Sequence, residues 1–144
     1  MKTKIKHLFQ LFILSGLMFG CINDQQQIVP NVTVDVYINL DLPQFSFLGS
    51  INNAIIFPNA GYNRNGVIIY RNSTDEFSAY DATCPQHIET KTAVKLDDNG
   101  GGGQATCPHC KTIYYFYNYG SASKGYPLKR YNVNKSGNTV YVYN

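Results

Sequence analysis

Short apolar segments alternate with turn residues along most of this chain, and few folds accommodate that pattern. Val32 to Leu40 alternates apolar and polar residues, which is the period of a half-buried β-strand. Further β-branched or aromatic segments follow at 66–71, 77–81, 92–96, 104–106, 113–117, 128–133 and 139–143. The residues between them are rich in Gly, Asn, Asp and Ser, and no helical period follows residue 20. The sequence therefore predicts one all-β domain, an antiparallel sandwich or small barrel.

The N-terminus has the composition of an export signal rather than of that domain. Lys2, Lys4 and Lys6 precede an apolar stretch at 8–19, which is shorter than an ordinary membrane-spanning helix. A basic start followed by a short apolar stretch is typical of a secretory signal. We therefore assign residues 1–20 to a signal peptide and expect an exported protein.

Cys21 follows this signal directly. The sequence LMFGC that ends at Cys21 resembles the lipobox of bacterial lipoproteins. This resemblance implies that Cys21 becomes the lipid-bearing first residue of the processed chain. Residues 21–30 then form a polar tether, residues 31–144 form the β domain, and the lipid attaches the protein to a membrane of the bacterial cell envelope. A plain secretory signal that ends near a cysteine is the alternative.

The net charge of the domain differs from that of the whole chain. The chain carries 12 Lys and Arg against 9 Asp and Glu, a formal net charge of +3. The three lysines of the signal account for the excess, because 12 − 3 leaves 9 basic residues beside 9 acidic ones. A neutral domain lacks the basic excess by which proteins bind nucleic acid, so we expect no nucleic-acid partner.

Three cysteines of the predicted domain lie in two short loops. Cys84-Pro-Gln-His87 is followed by 19 residues and then by Cys107-Pro-His-Cys110. Two ligands three positions apart lie on one side of a tight turn, and two such turns brought together form a four-ligand cage. Three thiolates and one imidazole suit zinc or an iron–sulfur centre rather than calcium or magnesium. Cys84, His87, Cys107 and Cys110 are therefore the candidate metal ligands.

The residues alone leave other interpretations of these loops open. Cys107 and Cys110 could form a disulfide, because exported proteins fold under oxidising conditions, or the loops could bind nothing. Cys107-Pro-His-Cys110 also matches a motif of disulfide oxidants, whose first cysteine lies at a helix N-terminus. Residues 111–117 are strand-like instead, which disfavours thiol–disulfide exchange.

The arrangement resembles the Rieske iron–sulfur domain over residues 32–143. Residues 66–83 look like the hairpin before the family's first cluster loop, and residues 107–114 look like its second cluster loop. Residues 126–133 and 139–142 resemble the family's closing hairpin. The resemblance implies a Rieske-like antiparallel sandwich or barrel with a small two-loop metal-binding subdomain at one end. It also implies a 2Fe–2S cluster and a role in electron transfer.

The chain departs from this family at the cluster ligands. A Rieske centre takes its ligands from C-x-H in the first loop and C-x2-H in the second, and Cys84 and Cys107 match the two cysteines. Gln86 stands at the first histidine position, with His87 one residue later. Cys110 stands at the second histidine position. A thiolate in place of a neutral imidazole adds negative charge and predicts a lower reduction potential.

The resemblance also implies roles for three residues that follow Cys110. Lys111 replaces a glycine of the family, at a position that we expect to need a positive φ. Thr112 and Tyr114 stand where the family places hydroxyls that hydrogen-bond to the cluster and raise its potential.

The sequence therefore predicts a membrane-tethered Rieske-like lipoprotein with a 2Fe–2S or single-metal site, an electron-transfer role and a redox protein partner. The alternative is a non-redox binding module of the cell envelope that is stapled by zinc or is metal-free. Eight of the 12 tyrosines, which lie between residues 114 and 143, would suit its contact surface. Catalysis has little support, because the chain has no room for the separate catalytic domain of oxygenases that resemble this frame.

Overall fold

The computed structural model describes residues 28–144, and the structural statements that follow concern that part of the chain. The predicted signal peptide, Cys21 and most of the predicted tether lie outside the described residues, so the expectations about them stay predictions. Between residues 28 and 144, no helix has the length and apolar character needed to cross a membrane.

The described residues form ten short strands and no α-helix, which confirms the all-β prediction. The strands are β1 (Asp35–Asn39), β2 (Ala54–Phe57), β3 (Val67–Arg71), β4 (Phe77–Asp81), β5 (Lys95–Leu96), β6 (Gln104–Thr106), β7 (Ile113–Tyr115), β8 (Ser121–Ala122), β9 (Arg130–Ser136) and β10 (Thr139–Tyr143). Short 3-10 helices lie between several of them, at Pro43–Gly49, Tyr62–Arg64, Pro85–Thr90, Asp97–Gly100 and Phe116–Asn118.

The strands form two antiparallel sheets. The larger sheet has the order β1-β10-β9-β4-β3-β2, and the smaller sheet has the order β5-β6-β7-β8. The last hairpin turns tightly, because Ser136 pairs with Thr139 and leaves Gly137 and Asn138 as its two loop residues. Gly137 has a φ of +55°, as the first position of such a turn often requires.

Strand β3 is buried on both faces and so separates two apolar clusters. Val67 and Ile69 point into a cluster within the larger sheet that includes side chains of β1 and β10. Ile68 and Tyr70 point the other way, because successive side chains of a strand alternate between its faces. That second cluster includes Tyr114 and other residues of the smaller sheet, and also Cys84 and Cys107. The second cluster therefore packs the smaller sheet against the larger one and leads to the cysteine loops.

The structure corrects several predicted boundaries. The segment 42–57, between two of the predicted strands, begins with a 3-10 helix at Pro43–Gly49, where Pro43 fits a first helical turn, and ends in β2. The segment 113–117 leaves the sheet after Tyr115 and continues as a 3-10 turn. Strand β8 lies inside a predicted Gly/Ser-rich loop, where pairing with β7 imposes the extended backbone. The segment 92–96 is in the sheet only at Lys95–Leu96.

The packed part of the chain includes the last residues of the predicted tether. Val29 is buried, and the Lys129 ammonium donates to the backbone carbonyl of Pro30 at 2.7 Å. The same ammonium donates to the side-chain oxygen of Asn31 at 2.8 Å. Lys129 therefore fixes the point at which the chain enters the domain.

Candidate metal centre

Two loops at one end of the smaller sheet carry the three cysteines. The first loop, residues 84–91, follows β4 and contains a 3-10 helix that ends at Thr90. The second loop, residues 107–112, joins β6 to β7 and is closed by reciprocal backbone hydrogen bonds. Cys107 accepts from Lys111 at 2.9 Å and donates to Thr112 at 2.9 Å. Lys111 has a φ of +60°, so this position does have the left-handed backbone that favours the glycine of the resembling family.

The structure brings the sulfurs of Cys84, Cys107 and Cys110 together. The three Sγ atoms all lie within 4.8 Å of one another, and the sulfurs of Cys84 and Cys110 are 3.7 Å apart. Cys84 and Cys107 have no solvent exposure, whereas Cys110 is partly exposed. None of the three is in a disulfide. The loops therefore form a thiol pocket that is closed towards the core and open on the side of Cys110.

Two hydroxyl groups face these sulfurs. The Tyr114 hydroxyl lies 3.1 Å from Cys84 Sγ, and the Thr112 hydroxyl lies 3.1 Å from Cys110 Sγ. Both residues are fully buried, so neither hydroxyl can turn to bulk water. A hydroxyl beside a thiolate donates to it and spreads its negative charge. The structure thus places these two predicted hydroxyls where they can stabilise thiolates.

Gln86 holds the first loop in place, a role that its local sequence does not predict. Its side-chain amide nitrogen donates to the backbone carbonyl of Tyr126 at 2.7 Å, and its amide oxygen accepts from the Tyr126 backbone N–H at 3.1 Å. The same amide nitrogen lies 3.3 Å from the Tyr114 hydroxyl. We call this paired contact between Gln86 and Tyr126 the glutamine latch. The only sequence signal for it was the place of Gln86 at a histidine position of the resembling family.

The structure does not bring His87 to the sulfurs. Among residues 28–144, the group of ligand atoms within 4.8 Å contains the three sulfurs and no histidine nitrogen. The backbone leaves the helical region at His87, with a φ of −142° and a ψ of 66°, while the latch holds the preceding side chain inward. The His87 ring instead meets the His109 ring edge-on, with centroids 5.1 Å apart, and its Nδ1 lies 3.6 Å from a carboxylate oxygen of Glu89.

The two sulfurs in contact have different proton affinities. Burial raises the pKa of Cys84 to about 12, in spite of the hydrogen bond from Tyr114. Partial burial also raises the pKa of Cys110, but hydrogen bonds from the Thr112 hydroxyl and backbone N–H outweigh it and lower that pKa to about 7. At neutral pH, the metal-free pocket therefore pairs a buried neutral thiol with a more exposed cysteine that is about half ionised.

No protein-family profile matches the chain, and no curated protein matches it. Among solved structures, the chain is similar to the ferredoxin of carbazole 1,9a-dioxygenase from Nocardioides aromaticivorans IC177, with a TM-score of 0.47 and 17% sequence identity. The match covers 78% of this chain and 97% of that chain. The two antiparallel sheets of this chain confirm the all-β antiparallel architecture that the sequence predicts.

The donor set supplies three of the four ligands that a zinc ion or a 2Fe–2S cluster requires. Two thiolates bound to one tetrahedral zinc ion, each at about 2.3 Å, lie about 3.8 Å apart. The 3.7 Å between Cys84 and Cys110 fits that edge. The Gln86 amide oxygen is already engaged by Tyr126, so His87 is the nearest remaining donor along the first loop. The pocket therefore fits a soft metal centre with three thiolate ligands.

Proposed function

We propose that this domain binds a soft metal centre, a 2Fe–2S cluster or a single ion, and serves in electron transfer. The observation that carries the proposal is the convergence of three cysteine sulfurs within 4.8 Å, two of them fully buried. Cys84, Cys107 and Cys110 hold the centre, and His87 is the fourth candidate ligand. An iron–sulfur cluster, when bound, supplies a one-electron couple.

The surrounding residues of the chain support such a centre in distinct ways. The apolar cluster around Cys84 and Cys107 excludes water from two of the thiolates and lowers the local dielectric. The hydroxyls of Tyr114 and Thr112 donate to thiolate sulfurs, which offsets negative charge and raises a reduction potential. The partly exposed Cys110 lies on the side from which a redox protein partner would approach.

We also propose that the domain works at the surface of a membrane in the bacterial cell envelope. Support comes from the LMFGC sequence that ends at Cys21 and from the basic, apolar segment before it. Val29 and Pro30 are held against the domain through burial and the Lys129 hydrogen bond. A lipid on Cys21 would therefore be joined to the folded part by only the residues 22–28.

A non-redox binding module stabilised by a structural zinc ion is the second candidate function, and two observations favour it. The 3.7 Å sulfur–sulfur distance fits a single tetrahedral ion. A cavity of about 550 Å³ beside β4 and β9 is lined by exposed Tyr117 and Tyr119 together with Arg130, whose guanidinium lies 5.0 Å from the Tyr119 ring centroid. Exposed aromatic rings in a concave, polar surface are common in binding sites.

Metal and acid-labile sulfide analysis of the full chain, purified in detergent without oxygen, separates these candidates. We expect about two iron atoms and two sulfides per chain, with visible absorption that bleaches on reduction by dithionite. One zinc ion per chain and no visible absorption would establish the non-redox module instead. Protein that binds neither metal, even after reconstitution with ferrous iron and sulfide or with Zn²⁺, would contradict both metal-bound functions.

A further inference from the structure

Cys84 and Cys110 form a direct contact between the two loops. Their sulfurs are 3.7 Å apart, although the residues are 26 positions apart in the chain. A disulfide bond is about 2.05 Å long, so the two sulfurs must approach by roughly 1.7 Å in total. Modest side-chain rotations on two loops can supply that movement. The two thiols in contact are therefore positioned to be oxidised together.

The pairing differs from the one that the sequence spacing suggests. The Cys107-Pro-His-Cys110 motif places two cysteines on one tight turn, and a disulfide between them was one of the alternatives. In the structure, Cys110 Sγ lies 3.7 Å from Cys84 Sγ on the other loop, and Cys107 Sγ also lies within 4.8 Å of it. A bond between these two would join the loops covalently and leave Cys107 as a fully buried thiol.

We propose that oxidation of the metal-free pocket forms a disulfide between Cys84 and Cys110, and that this bond excludes metal by consuming two of three ligands. The disulfide itself depends only on the contact between the thiols. Its effect on metal rests on the proposed function. The thiol pocket then exists in two alternative forms, metal-bound or cross-linked, which the redox state of the compartment selects.

The reaction needs an external disulfide, either a small molecule or a protein disulfide. The burial of each cysteine determines which one reacts first. Cys110 is the accessible cysteine of the pocket, so its thiolate attacks the external disulfide, forms a mixed disulfide and releases one thiolate. The sulfur of Cys84 then attacks the Cys110 sulfur, the cross-loop bond forms, and the second external thiolate leaves with the proton of Cys84. Two protein thiols are oxidised, and the external disulfide is reduced to two thiols.

Disulfide mapping tests this pairing directly. The full chain with Cys21→Ser retains three cysteines, and it is reduced, stripped of metal with a chelator and then treated with oxidised glutathione. We expect the thiol content in denaturant to fall from three to one per chain. Peptide mass spectrometry should identify the link as Cys84 to Cys110. Three remaining thiols, or a link that includes Cys107, would overturn the proposal.

Single serine variants give a matched control without relying on the mapping. In the same Cys21→Ser background, Cys107→Ser should still lose two thiols on oxidation, because both partners of the contact remain. Cys84→Ser should instead accumulate a glutathione mixed disulfide on Cys110, since the resolving thiol is absent. Equal cross-linking in the two variants is not compatible with a specific Cys84–Cys110 pair.

Metal titration of the oxidised and reduced forms tests whether the disulfide prevents metal binding. It also distinguishes a failure of this inference from a failure of the proposed metal-binding function. Titration with Co²⁺ should give thiolate charge-transfer absorption in reduced protein and none in oxidised protein, with recovery after a phosphine reductant. Cobalt bound equally by both forms would refute the exclusion while leaving the metal site intact. A mapped Cys84–Cys110 disulfide in protein that binds no metal in either form would refute the proposed function but not the pairing.

Discussion

At the scale of single residues, cysteines that look equivalent in the sequence have different environments in the thiol pocket. Cys84 lies under the Tyr114 hydroxyl with no exposure, and burial raises its pKa to about 12. Cys110 is at the open side, where hydrogen bonds from Thr112 lower its pKa to about 7 against the effect of burial. A thiolate is the reactive form of cysteine, so the two should differ strongly in reactivity.

Alkylation of the reduced, metal-free Cys21→Ser chain should show this difference. Below its pKa, Cys110 is a protonated thiol, so its rate of reaction with iodoacetamide should rise about tenfold per pH unit and level off above pH 7. The apparent midpoint of the Cys110 rate should be near pH 7. Cys84 should stay unmodified across this range, since it is buried and its pKa is far higher. Rates come from mass spectrometry of peptides that contain each cysteine.

Thr112→Val is the control for the cause of the shift. It keeps the backbone and the side-chain volume but removes the hydroxyl that lies 3.1 Å from Cys110 Sγ. The midpoint for Cys110 should move to higher pH in this variant. A wild-type midpoint at or above the ordinary thiol value of about 8.5 would show that the Thr112 hydrogen bonds do not stabilise the thiolate.

Substitution of Cys107 tests the proposed set of metal ligands, because Cys107 is fully buried and lies in no proposed disulfide. Cys107→Ser should lose bound metal completely, since a serine hydroxyl is a poor ligand for zinc or iron–sulfur centres. Cys21→Ser should keep the same metal content as the wild-type chain, because Cys21 precedes the domain. Metal per chain is measured by plasma emission after anaerobic purification. Full metal content in Cys107→Ser would remove this residue from the ligand set.

At the scale of structural elements, the glutamine latch determines the shape of the first loop. Gly125, next to Tyr126, has a φ of +75°, and a Cβ atom there would lie 1.9 Å from the Gln86 amide oxygen. Gly137 also has a positive φ, of +55°, but a Cβ atom there would meet nothing within 4 Å. Comparing alanine substitutions at the two glycines therefore separates the free energy lost to a strained backbone from the free energy lost by displacing the latch.

Gly137→Ala should destabilise the domain by about 1 kcal/mol, because an alanine rarely adopts a positive φ. Gly125→Ala should cost about 2–4 kcal/mol, since it adds a steric conflict that expels the Gln86 side chain. Urea unfolding of the reduced variants, followed by circular dichroism, gives both free energies of unfolding. Equal losses in the two variants would mean that the latch contributes nothing to stability.

Some features of the fold follow from local sequence patterns, whereas others depend on contacts between distant residues. The alternation in Val32–Leu40 identifies β1, because each second side chain is buried there, and the run at 66–71 identifies β3 because both faces are buried. Strand β8 was missed because Ser121 and Ala122 have little strand preference and are extended only through pairing with β7. The meeting of three sulfurs follows from the loop spacing, but the place of His87 depends on a latch to Tyr126 across 40 positions, which no local pattern shows.

At the scale of the whole molecule, one buried carboxylate connects the larger sheet to the first loop. Asp81 ends β4, three positions before Cys84, and has no solvent exposure. One of its oxygens accepts from the Tyr131 hydroxyl of β9 at 2.5 Å and from the Tyr62 backbone N–H at 2.6 Å. The other accepts from the Thr83 backbone N–H at 2.8 Å. A buried carboxylate with three donors is stable only while its partners remain.

Asp81→Asn should therefore destabilise the fold by about 2–4 kcal/mol. The amide removes the charge, and its NH2 group would face N–H or O–H groups that donate hydrogen bonds to Asp81. Tyr131→Phe should cost less, about 1–3 kcal/mol, since two backbone donors to the carboxylate remain.

Asp75→Asn is the matched control. Asp75 is 77% exposed and pairs only with Lys135 among the described residues, so its loss should cost about 0.5 kcal/mol or less. Urea unfolding of the reduced proteins ranks the three variants. A free-energy loss in Asp81→Asn no larger than in Asp75→Asn would show that this carboxylate does not hold the larger sheet to the loop that carries Cys84.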